Sequence, residues 1–476
     1  MGPLAVLLLA ATVDGEAALR HAAALSSLGP HPWGSPRGRA AAAYVAAGLR
    51  QAGVPDVHLD EFEVKGVRGV NVVGSVRGAG RGTVIVGAHH DTAPEAPGAY
   101  DDGSGVGIVI ELARVLAHSP APPRTVVFAS WDGEEAWSTS HGTVTGSRAF
   151  VRGLGAGARD VTAAIVVEMC GWRGGTPVLH PIAYADPLRP GRHVIAPGWL
   201  VSATLLGARG AGAPLGVGDP WFSWLYQPAV RTFRMEFYGD DLALLQAGVP
   251  AVFVSDSSFT SFYPWYHQAG DTAEHLDAAA LTRMGEAVRG ALDAVTRLPA
   301  RTGPDPDWFA IFGRVAPRWA LLALGAIALA PGLVRAWSAG GLGLLARLVQ
   351  AGLFATLVWD EPVPALWMLT APVLASGLSR RRIALVLALA PAVALLVLGA
   401  AAWARGFTHD TWMPAWQLGA DLGVLLLAVV PVGSAGPGRG IRSGAGPASR
   451  APRRSLGRAR ATTQRSGGAF AGRPRA

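Results

Sequence analysis

Histidine and acidic residues follow an apolar run in one part of this sequence. The segment Val84-Ile-Val-Gly-Ala-His-His-Asp places His89 and Asp91 behind the run, and Asp101 follows in Gly-Ala-Tyr-Asp-Asp-Gly-Ser-Gly. The other candidate groups lie further along the chain, at Glu134, Glu135, Glu168 and His267. Imidazole nitrogens and carboxylate oxygens are ligands that Zn²⁺ binds in proteins. The set is large enough for two divalent metals and predicts metal-dependent hydrolysis.

Each residue type has a chemical reason to be present in such a site. Two cations about 3.5–4 Å apart repel each other, so a carboxylate that bridges them is needed. A further carboxylate must stay off the metals to accept the proton of the attacking water. The adjacent Glu134 and Glu135 can divide these duties, because neighbouring side chains point in different directions.

The elements that position these residues are predicted to be buried strands and a helix. β-branched apolar runs predict strands at residues 83–86, 125–130, 163–167 and 251–255. Residues 104–118 have apolar side chains at helical spacing, with Asp102 and Ser104 available as caps. Strand–helix–strand order predicts a largely parallel sheet. The candidate residues fall at or after strand carboxyl ends, the edge where open α/β sheets bind ligands.

Taken in order, these motifs resemble the M28 family of zinc aminopeptidases and carboxypeptidases. They are most similar to its membrane-bound branch, which includes the endoplasmic-reticulum metallopeptidases. The resemblance covers about residues 20–300, and His31-Pro-Trp-Gly-Ser35 is similar to the start of that branch. It implies an α/β fold with a mostly parallel mixed sheet flanked by helices, as in zinc exopeptidases. The matching motifs are His89-His-Asp91, Gly98-Ala-Tyr-Asp-Asp-Gly-Ser-Gly105, Glu134-Glu135, Glu168, and His267-Gln-Ala-Gly-Asp-Thr272.

The resemblance also implies the metal ligands. Asp101 would bridge two Zn²⁺ ions per chain. His89 and Glu168 would complete the shell of one ion, and Glu135 and His267 that of the other. Many soluble members of the family have Asp where this chain has Glu168, whereas the membrane-bound branch tends to have Glu.

Two catalytic residues follow from the same resemblance. Glu134 would be the general base, and Asp91 would orient His89 from behind, as carboxylates do for zinc-bound histidines. The family also has a cis peptide bond after its bridging Asp, which predicts one between Asp101 and Asp102. The pair Asp240-Asp241 has two interpretations, as a helix cap near the site or as functional residues.

Beyond a linker at residues 301–318, the region 319–433 is predicted to be all-α and transmembrane. A span needs roughly 20 apolar residues. Arg335 and Arg347 flank the first break between the runs, and further arginines lie in the third break and in the tail. The positive-inside rule places these segments in the cytoplasm. The peptidase domain is then periplasmic or extracellular. The five apolar runs are residues 319–337, 341–359, 363–378, 383–404 and 416–432.

The two chain ends have separate interpretations. Residues 1–19 are interpreted as a truncated signal or anchor, or else as the first element of the domain. The tail, residues 434–476, has ten arginines and no acidic residue, so it accounts for the net charge of +8 and for the pI near 10. Its composition predicts disorder, and a basic tail does not indicate a nucleic-acid-binding fold. Because Cys170 is the only cysteine, no intrachain disulfide can form.

The favoured function is therefore a membrane-anchored di-zinc exopeptidase that acts on peptides, preferably an aminopeptidase. Its partners would be a peptide substrate and a lipid bilayer, with no nucleic acid. Two alternatives stay open: a single-zinc transferase similar to the glutaminyl cyclases, and a binding module without catalysis. The number of zinc ions per chain distinguishes the first alternative, and retention of every ligand argues against the second.

Overall fold

A computed structural model describes residues 12–136, 144–185, 193–218, 239–257 and 263–299, together with 308–311, 314–317, 319 and 323. Apart from residues 319 and 323, the predicted membrane runs lie outside this set, as does the arginine-rich tail. Within the described part of the chain, no helix is both long and apolar enough to cross a membrane.

The strands, in chain order, are β1 (Asp56–Val64), β2 (Val67–Val76), β3 (Thr83–His89), β4 (Thr125–Trp131), β5 (Val161–Val167), β6 (Val178–His180), β7 (Ala183–Ala185), β8 (His193–Ile195), β9 (Gly216–Val217), β10 (Ala251–Ser255), β11 (Trp308–Ile311) and β12 (Arg314–Pro317). Eight of them form one mixed sheet in the order β1-β2-β4-β3-β5-β10-β6-β9. β4, β3, β5 and β10 are parallel neighbours in its middle. β1, β2 and β6 pair antiparallel on either side. The predicted mixed α/β sheet is confirmed, with its four predicted strands at the centre.

Both faces of the central strands are covered by apolar side chains. Val84 and Val86 of β3 belong to one hydrophobic cluster, whereas Ile85 between them belongs to a second. Successive side chains of a strand point to opposite faces of the sheet, so each face has its own core. This double burial explains why the central strands are continuous apolar runs rather than alternating ones.

Helices flank the sheet, as predicted. The helix predicted at 104–118 is α3, which ends one residue earlier. The helices are α1 (Gly15–Ser26), α2 (Pro36–Gln51), α3 (Ser104–Ala117), α4 (Thr145–Leu154), α5 (Gly198–Gly210), α6 (Asp241–Gln246) and α7 (Ala278–Arg297).

The packed domain begins before residue 20. Asp14 caps α1 by accepting hydrogen bonds from the N–H groups of Glu16 and Ala17. Val13 is buried in the core, and its N–H donates to Glu286 of α7 at 2.9 Å. The residues from Val13 onward therefore belong to the domain, in line with the second of the two interpretations of the amino-terminal segment.

Candidate metal centre

The sequence-predicted site residues converge at one edge of the sheet. His89 is the last residue of β3, and Glu168 directly follows β5. Because β3, β4 and β5 are parallel neighbours, their carboxyl ends meet at this edge, as expected for an α/β sheet. We call the seven predicted residues the acid–histidine cluster: His89, Asp91, Asp101, Glu134, Glu135, Glu168 and His267.

The carboxylate of Asp101 lies between the two histidines of the cluster. Its Oδ1 is 3.1 Å from Nε2 of His89, and its Oδ2 is 3.2 Å from Nε2 of His267. Each oxygen thus faces a different imidazole. Two cations placed beside the two imidazoles would share this carboxylate, which is the arrangement that a bridging ligand requires.

Glu135 joins the cluster through the second histidine. Its Oε1 is 2.7 Å from Nε2 of His267. The backbone of His267 is in the left-handed region, with φ of 57°, which residues other than glycine rarely adopt. Strained conformations of this kind concentrate at functional sites.

Two sets of donor atoms within the described residues are compact enough to hold an ion. The first set comes from His89, Glu134 and Glu135, and the second from Asp101, Glu135 and His267. The donor atoms of each set lie within 4.8 Å of one another. Glu135 belongs to both sets. The second set agrees with the ligands predicted for one ion, together with the predicted bridge.

Asp91 organises the first histidine and the glutamate pair together. Its Oδ1 and Oδ2 accept hydrogen bonds from the N–H groups of Glu134 and Glu135, each at 3.0 Å. Nδ1 of His89 is 3.0 Å from the backbone oxygen of Asp91 and 3.5 Å from its Oδ1. One residue therefore orients the imidazole and holds the segment that carries both glutamates.

Glu168 lies at the side of the cluster that faces α6. Its Oε1 accepts a hydrogen bond from the N–H of Asp240 at 3.3 Å, and it is buried. It belongs to neither of the two compact sets of described donors. Its assignment as a ligand beside His89 and Asp101 stays a prediction.

Burial and mutual repulsion control the ionisation of the glutamates. Burial raises the pKa of Glu134 well above its ordinary value, and the charge of the adjacent Glu135 raises it further. Burial likewise raises the pKa of Glu168, and the nearby charge of Asp240 adds to the increase. Both carboxylates therefore have higher proton affinity than exposed glutamates have.

The histidines respond in the opposite way to the same negative charge. Burial alone would lower the pKa of His267, but the charge of Glu135 and the hydrogen bond with Asp101 outweigh burial and raise it to about 10. Burial also acts against protonation of His89, yet hydrogen bonds with Asp101 and Asp91 raise its pKa well above the ordinary value. Both imidazoles thus lie in strongly negative surroundings.

The charge balance of this region fits divalent cations. Only two histidines are available to offset the negative charge in the cluster, and burying a charge without a partner is costly. Two divalent ions would neutralise most of the excess, and the oxygen and nitrogen donors suit Zn²⁺. The carboxylates buried in or beside the cluster include Asp91, Asp101, Glu134, Glu135, Glu168 and Asp240.

The segment that follows Asp101 has the backbone conformation that the sequence predicts. The peptide bond between Asp101 and Asp102 is cis, as predicted. Oδ1 of Asp102 accepts hydrogen bonds from the N–H groups of Gly105 and Met169, so it binds the first turn of α3 to the end of β5. His90 points to Ser130, with 2.9 Å between its Nδ1 and the hydroxyl, and is not in the cluster.

Sequence reasoning assigned no role to Asp271. Its Oδ1 accepts hydrogen bonds from the N–H of Tyr100 at 2.8 Å and from the hydroxyl of Tyr263 at 3.1 Å. Its Oδ2 accepts one from the N–H of Asp101 at 3.2 Å. The sequence did contain a signal for Asp271, because it is the acidic residue of the motif His267-Gln-Ala-Gly-Asp-Thr272.

The fold and the cluster together define the class: an α/β domain with a buried carboxylate–histidine centre suited to divalent metals at the carboxyl edge of its sheet. The model of peptidase family M28 matches residues 71–192 and 222–292. Over these residues, 193 of the 476 in the chain, the sequence is similar to peptidase family M28, and this similarity supports a zinc metallopeptidase.

Three curated relatives illustrate the similarity. "Probable lipoprotein aminopeptidase LpqL" of Mycobacterium tuberculosis is 40% identical over 85 residues, or 18% of this chain and 16% of its own length. "Leucine aminopeptidase 1" of Fusarium vanettenii is 26% identical over 233 residues, or 43% and 50%. "Vacuolar membrane protease" of Laccaria bicolor is 28% identical over 184 residues, or 35% and 17%. The chain thus spans half or less of these relatives' lengths.

Two solved structures illustrate the structural similarity. A glutaminyl cyclase of Fimbriiglobus ruber is 21% identical and covers 62% of this chain and 99% of its own, with a TM-score of 0.49. A zinc aminopeptidase of Bacillus subtilis is 15% identical and covers 59% and 94%, with a TM-score of 0.47.

Proposed function

We propose that this chain is a zinc aminopeptidase with two zinc ions per chain. The observation that carries the proposal is the position of Asp101, whose two carboxylate oxygens face His89 and His267 separately. A carboxylate shared in this way supports a pair of ions rather than one. Similarity to family M28 supports peptide-bond hydrolysis, and the relatives named aminopeptidases support cleavage at the amino end of the peptide.

Five residues would hold the ions. Asp101 would bridge them, His89 and Glu168 would serve one, and Glu135 and His267 the other. Bound zinc would act as a Lewis acid that polarises the scissile carbonyl and increases the acidity of the attacking water. The compact set formed by Asp101, Glu135 and His267 supports the second of these ligand groups.

Glu134 would act as the general base. Its pKa is raised by burial and by the neighbouring charge of Glu135, so its carboxylate has the proton affinity to take a proton from water. It would then return the proton to the leaving amine. Since Glu134 also belongs to the compact set with His89, its role as base rather than ligand needs a direct test.

Asp91 would orient both the metal ligand His89 and the segment that contains Glu134 and Glu135. Its carboxylate accepts the N–H groups of Glu134 and Glu135, and its backbone oxygen is within hydrogen-bond distance of Nδ1 of His89. A proton on Nδ1 leaves Nε2 of His89 free to bind metal. The backbone oxygen of Asp91 thus orients the ring so that Nε2 faces Asp101 and the proposed metal position.

The decisive experiment measures zinc content and peptidase activity in the same preparations of the full-length chain. We expect two zinc ions per chain and chelator-sensitive release of the free aniline from aminoacyl-anilides. One firmly bound zinc with cyclisation of amino-terminal glutamine would support the cyclase alternative instead. Neither metal nor turnover, in a chain shown to be folded, would support a binding module.

The general base is tested by one conservative substitution. Glu134→Gln removes the proton acceptor but keeps the size of the side chain. We expect turnover to decrease by at least about a thousandfold while both zinc ions stay bound. Loss of a zinc ion would make Glu134 a ligand, and retained turnover would refute its catalytic role.

We also propose that the region 319–433 anchors the enzyme in a membrane by about five helices. The five apolar runs support this proposal. So do the arginines near the first and third breaks and in the tail, and the name of the Laccaria bicolor relative. The peptidase domain would face the periplasm or the exterior, and the tail would face the cytoplasm.

Reporter fusions test this topology. Alkaline phosphatase, which is active only outside the cytoplasm, is joined after Glu361 in one fusion and after Arg382 in another. We expect activity from the fusion after Glu361 and none from the fusion after Arg382. The reverse pattern would place the peptidase domain in the cytoplasm, and equal activity would contradict the third span.

A further inference from the structure

Asp240 is a buried acid whose partners are missing from the described part of the chain. It is 0% exposed, and neither Oδ1 nor Oδ2 has a hydrogen-bond partner there. Its backbone N–H donates a hydrogen bond to Oε1 of Glu168 at 3.3 Å. Leaving a carboxylate buried without a donor or a cation is costly, so a partner from outside the chain would stabilise it.

The next residue provides a contrast. Asp241 is equally buried, but its Oδ1 accepts a hydrogen bond from the hydroxyl of Tyr184 at 2.7 Å. Burial raises the pKa of Asp240 to about 7, and His89 and the Ser147 hydroxyl offset part of that increase. The Ser147 hydroxyl donates its hydrogen bond to the backbone oxygen of Val144. Of this adjacent pair, one carboxylate is held by the fold and the other is left available.

Asp240 shares the space of the acid–histidine cluster. Its backbone N–H donates to Oε1 of Glu168 at 3.3 Å, and electrostatic interactions join it to Glu134 and His89 as well. A ligand atom that approaches Glu134 or Glu168 is therefore also within the electrostatic reach of Asp240. The unpartnered carboxylate therefore borders the acid–histidine cluster on the side of Glu168.

The chemistry of the partner follows from this position. Asp240 belongs to neither compact set of described metal donors, so a third metal would find too few ligands there. An ammonium group offers three N–H donors and a positive charge, which match two unpartnered carboxylate oxygens. We propose that Asp240 binds the α-ammonium group of the first residue of the peptide substrate.

This inference rests on the proposed function and makes it more specific. An ammonium group held at Asp240 and a scissile carbonyl beside Glu134 would lie in the same first residue of the peptide. Peptides with an acylated amino end would lose the charge and leave Asp240 unpaired, which a site built for a polar group rejects strongly. Asp240 would thus select free amino ends and disfavour carboxypeptidase activity.

The test compares two ligands that differ by one amino group. The probes are 1-amino-3-methylbutylphosphonate and 3-methylbutylphosphonate, whose binding to the zinc-loaded full-length chain is measured by calorimetry. We expect the natural chain to bind the amino ligand about tenfold or more tightly than the ligand without the group. Equal affinities in the natural chain would overturn the proposal without any variant.

Variants then locate the effect. In Asp240→Asn we expect the affinity ratio of the two ligands to decrease to near one, with unchanged affinity for 3-methylbutylphosphonate. The matched control, Asp241→Asn, changes the neighbouring buried acid and should keep the full ratio. A ratio retained in Asp240→Asn, or a zinc ion lost from it, would overturn the proposal.

The readouts separate this proposal from the function on which it rests. Zinc content and melting temperature are measured for each variant, so a folding defect is recognised before the affinities are compared. If Asp240→Asn does not fold, Asp240→Glu, which keeps the charge, should retain a ratio above one. The chain could prefer the amino ligand and yet hydrolyse no aminoacyl-anilide. That result would contradict the proposed function but support the ammonium site at Asp240.

Discussion

Asp271 accepts a hydrogen bond from the backbone N–H of Asp101 at 3.2 Å, and so joins two distant segments at the metal centre. It also accepts the N–H of Tyr100, while His267 lies four residues before it. One carboxylate therefore fixes the backbone of the central acid and the loop that carries the second histidine. Such supporting contacts orient metal ligands, and their loss typically weakens metal binding.

We expect Asp271→Ala to weaken zinc binding by about 10- to 100-fold, because two buried N–H groups lose their acceptor and Asp101 loses its support. The measurement is a zinc titration against a competing chelator. Asp271→Asn, which keeps one acceptor oxygen, should recover part of the affinity. Equal zinc affinity in the Ala variant and the natural chain would show that Asp271 supports the fold alone.

Substitution of Asp91 should affect metal binding and catalysis together. In Asp91→Asn, one of the N–H groups of Glu134 and Glu135 loses its acceptor, and the orientation of His89 is weakened. We expect kcat/KM and zinc affinity each to decrease by about 10- to 100-fold.

Asp132→Asn is the matched control for Asp91. Asp132 is also buried and accepts the N–H of Val70 at 3.0 Å, but it is not in the acid–histidine cluster. Its substitution should lower stability and leave zinc affinity unchanged. If both variants lost zinc equally, the effect of Asp91→Asn would be one of general stability.

The sequence predicts the centre of this fold better than its edges. Buried parallel strands are continuous apolar runs, so β3, β4, β5 and β10 were identifiable from composition alone. β1 is polar and largely exposed, and β6 and β9 have only three and two residues. Their strand geometry depends on pairing with neighbours, which a local pattern does not contain.

The same limit applies to the site. Residues at strand ends, such as His89 and Glu168, could be predicted because parallel strands bring their carboxyl ends together. The contact between Asp271 and Asp101 spans 170 positions and depends on how a late loop packs. The sequence also could not predict that the Asp240 carboxylate lacks a hydrogen-bond partner. Asp240 and Asp241 are the same residue type and differ only in their surroundings.

Removal of the metal should destabilise the domain. With chelator, Asp101 and Glu135 stay buried near each other, and only His89 and His267 offset their charges. Ligand binding at 100 times its dissociation constant stabilises a protein by about 2.7 kcal/mol, so we expect a melting temperature several degrees lower without zinc. Calorimetry with and without chelator measures this, and an unchanged melting temperature would argue against metal at this site.

Asp256 should make stability depend on pH. Burial raises its pKa to about 7 from the ordinary 3.8, and it accepts the hydroxyl of Tyr100 and the N–H groups of Gly171 and Trp172. Between about pH 4 and pH 7 the folded state therefore binds the proton more tightly than the unfolded state does. The contribution of this group to stability is largest at low pH and is lost as pH rises through that window.

Asp256→Asn removes this titration while keeping the shape of the side chain. From pH 5 to pH 8 we expect the melting temperature of the variant to decrease less than that of the natural chain. The difference in unfolding free energy is on the order of 1 kcal/mol per pH unit at most. Asp160→Asn, at an exposed position, should follow the natural chain. Parallel pH profiles for Asp256→Asn and the natural chain would contradict the prediction.

A pair of glycines tests the close packing of α1 against α3. A Cβ atom at Gly107 would lie 2.4 Å from the backbone oxygen of Ala18, which a rigid helix cannot move away, whereas one at Gly153 of α4 would meet nothing within 4 Å. We expect Gly107→Ala to destabilise the domain by about 1–3 kcal/mol. Gly153→Ala should stabilise it by roughly 0.5–1 kcal/mol, because Ala is the better helix former. Denaturant unfolding measures both, and effects of the same sign would mean that α1 does not pack against α3 as closely as described.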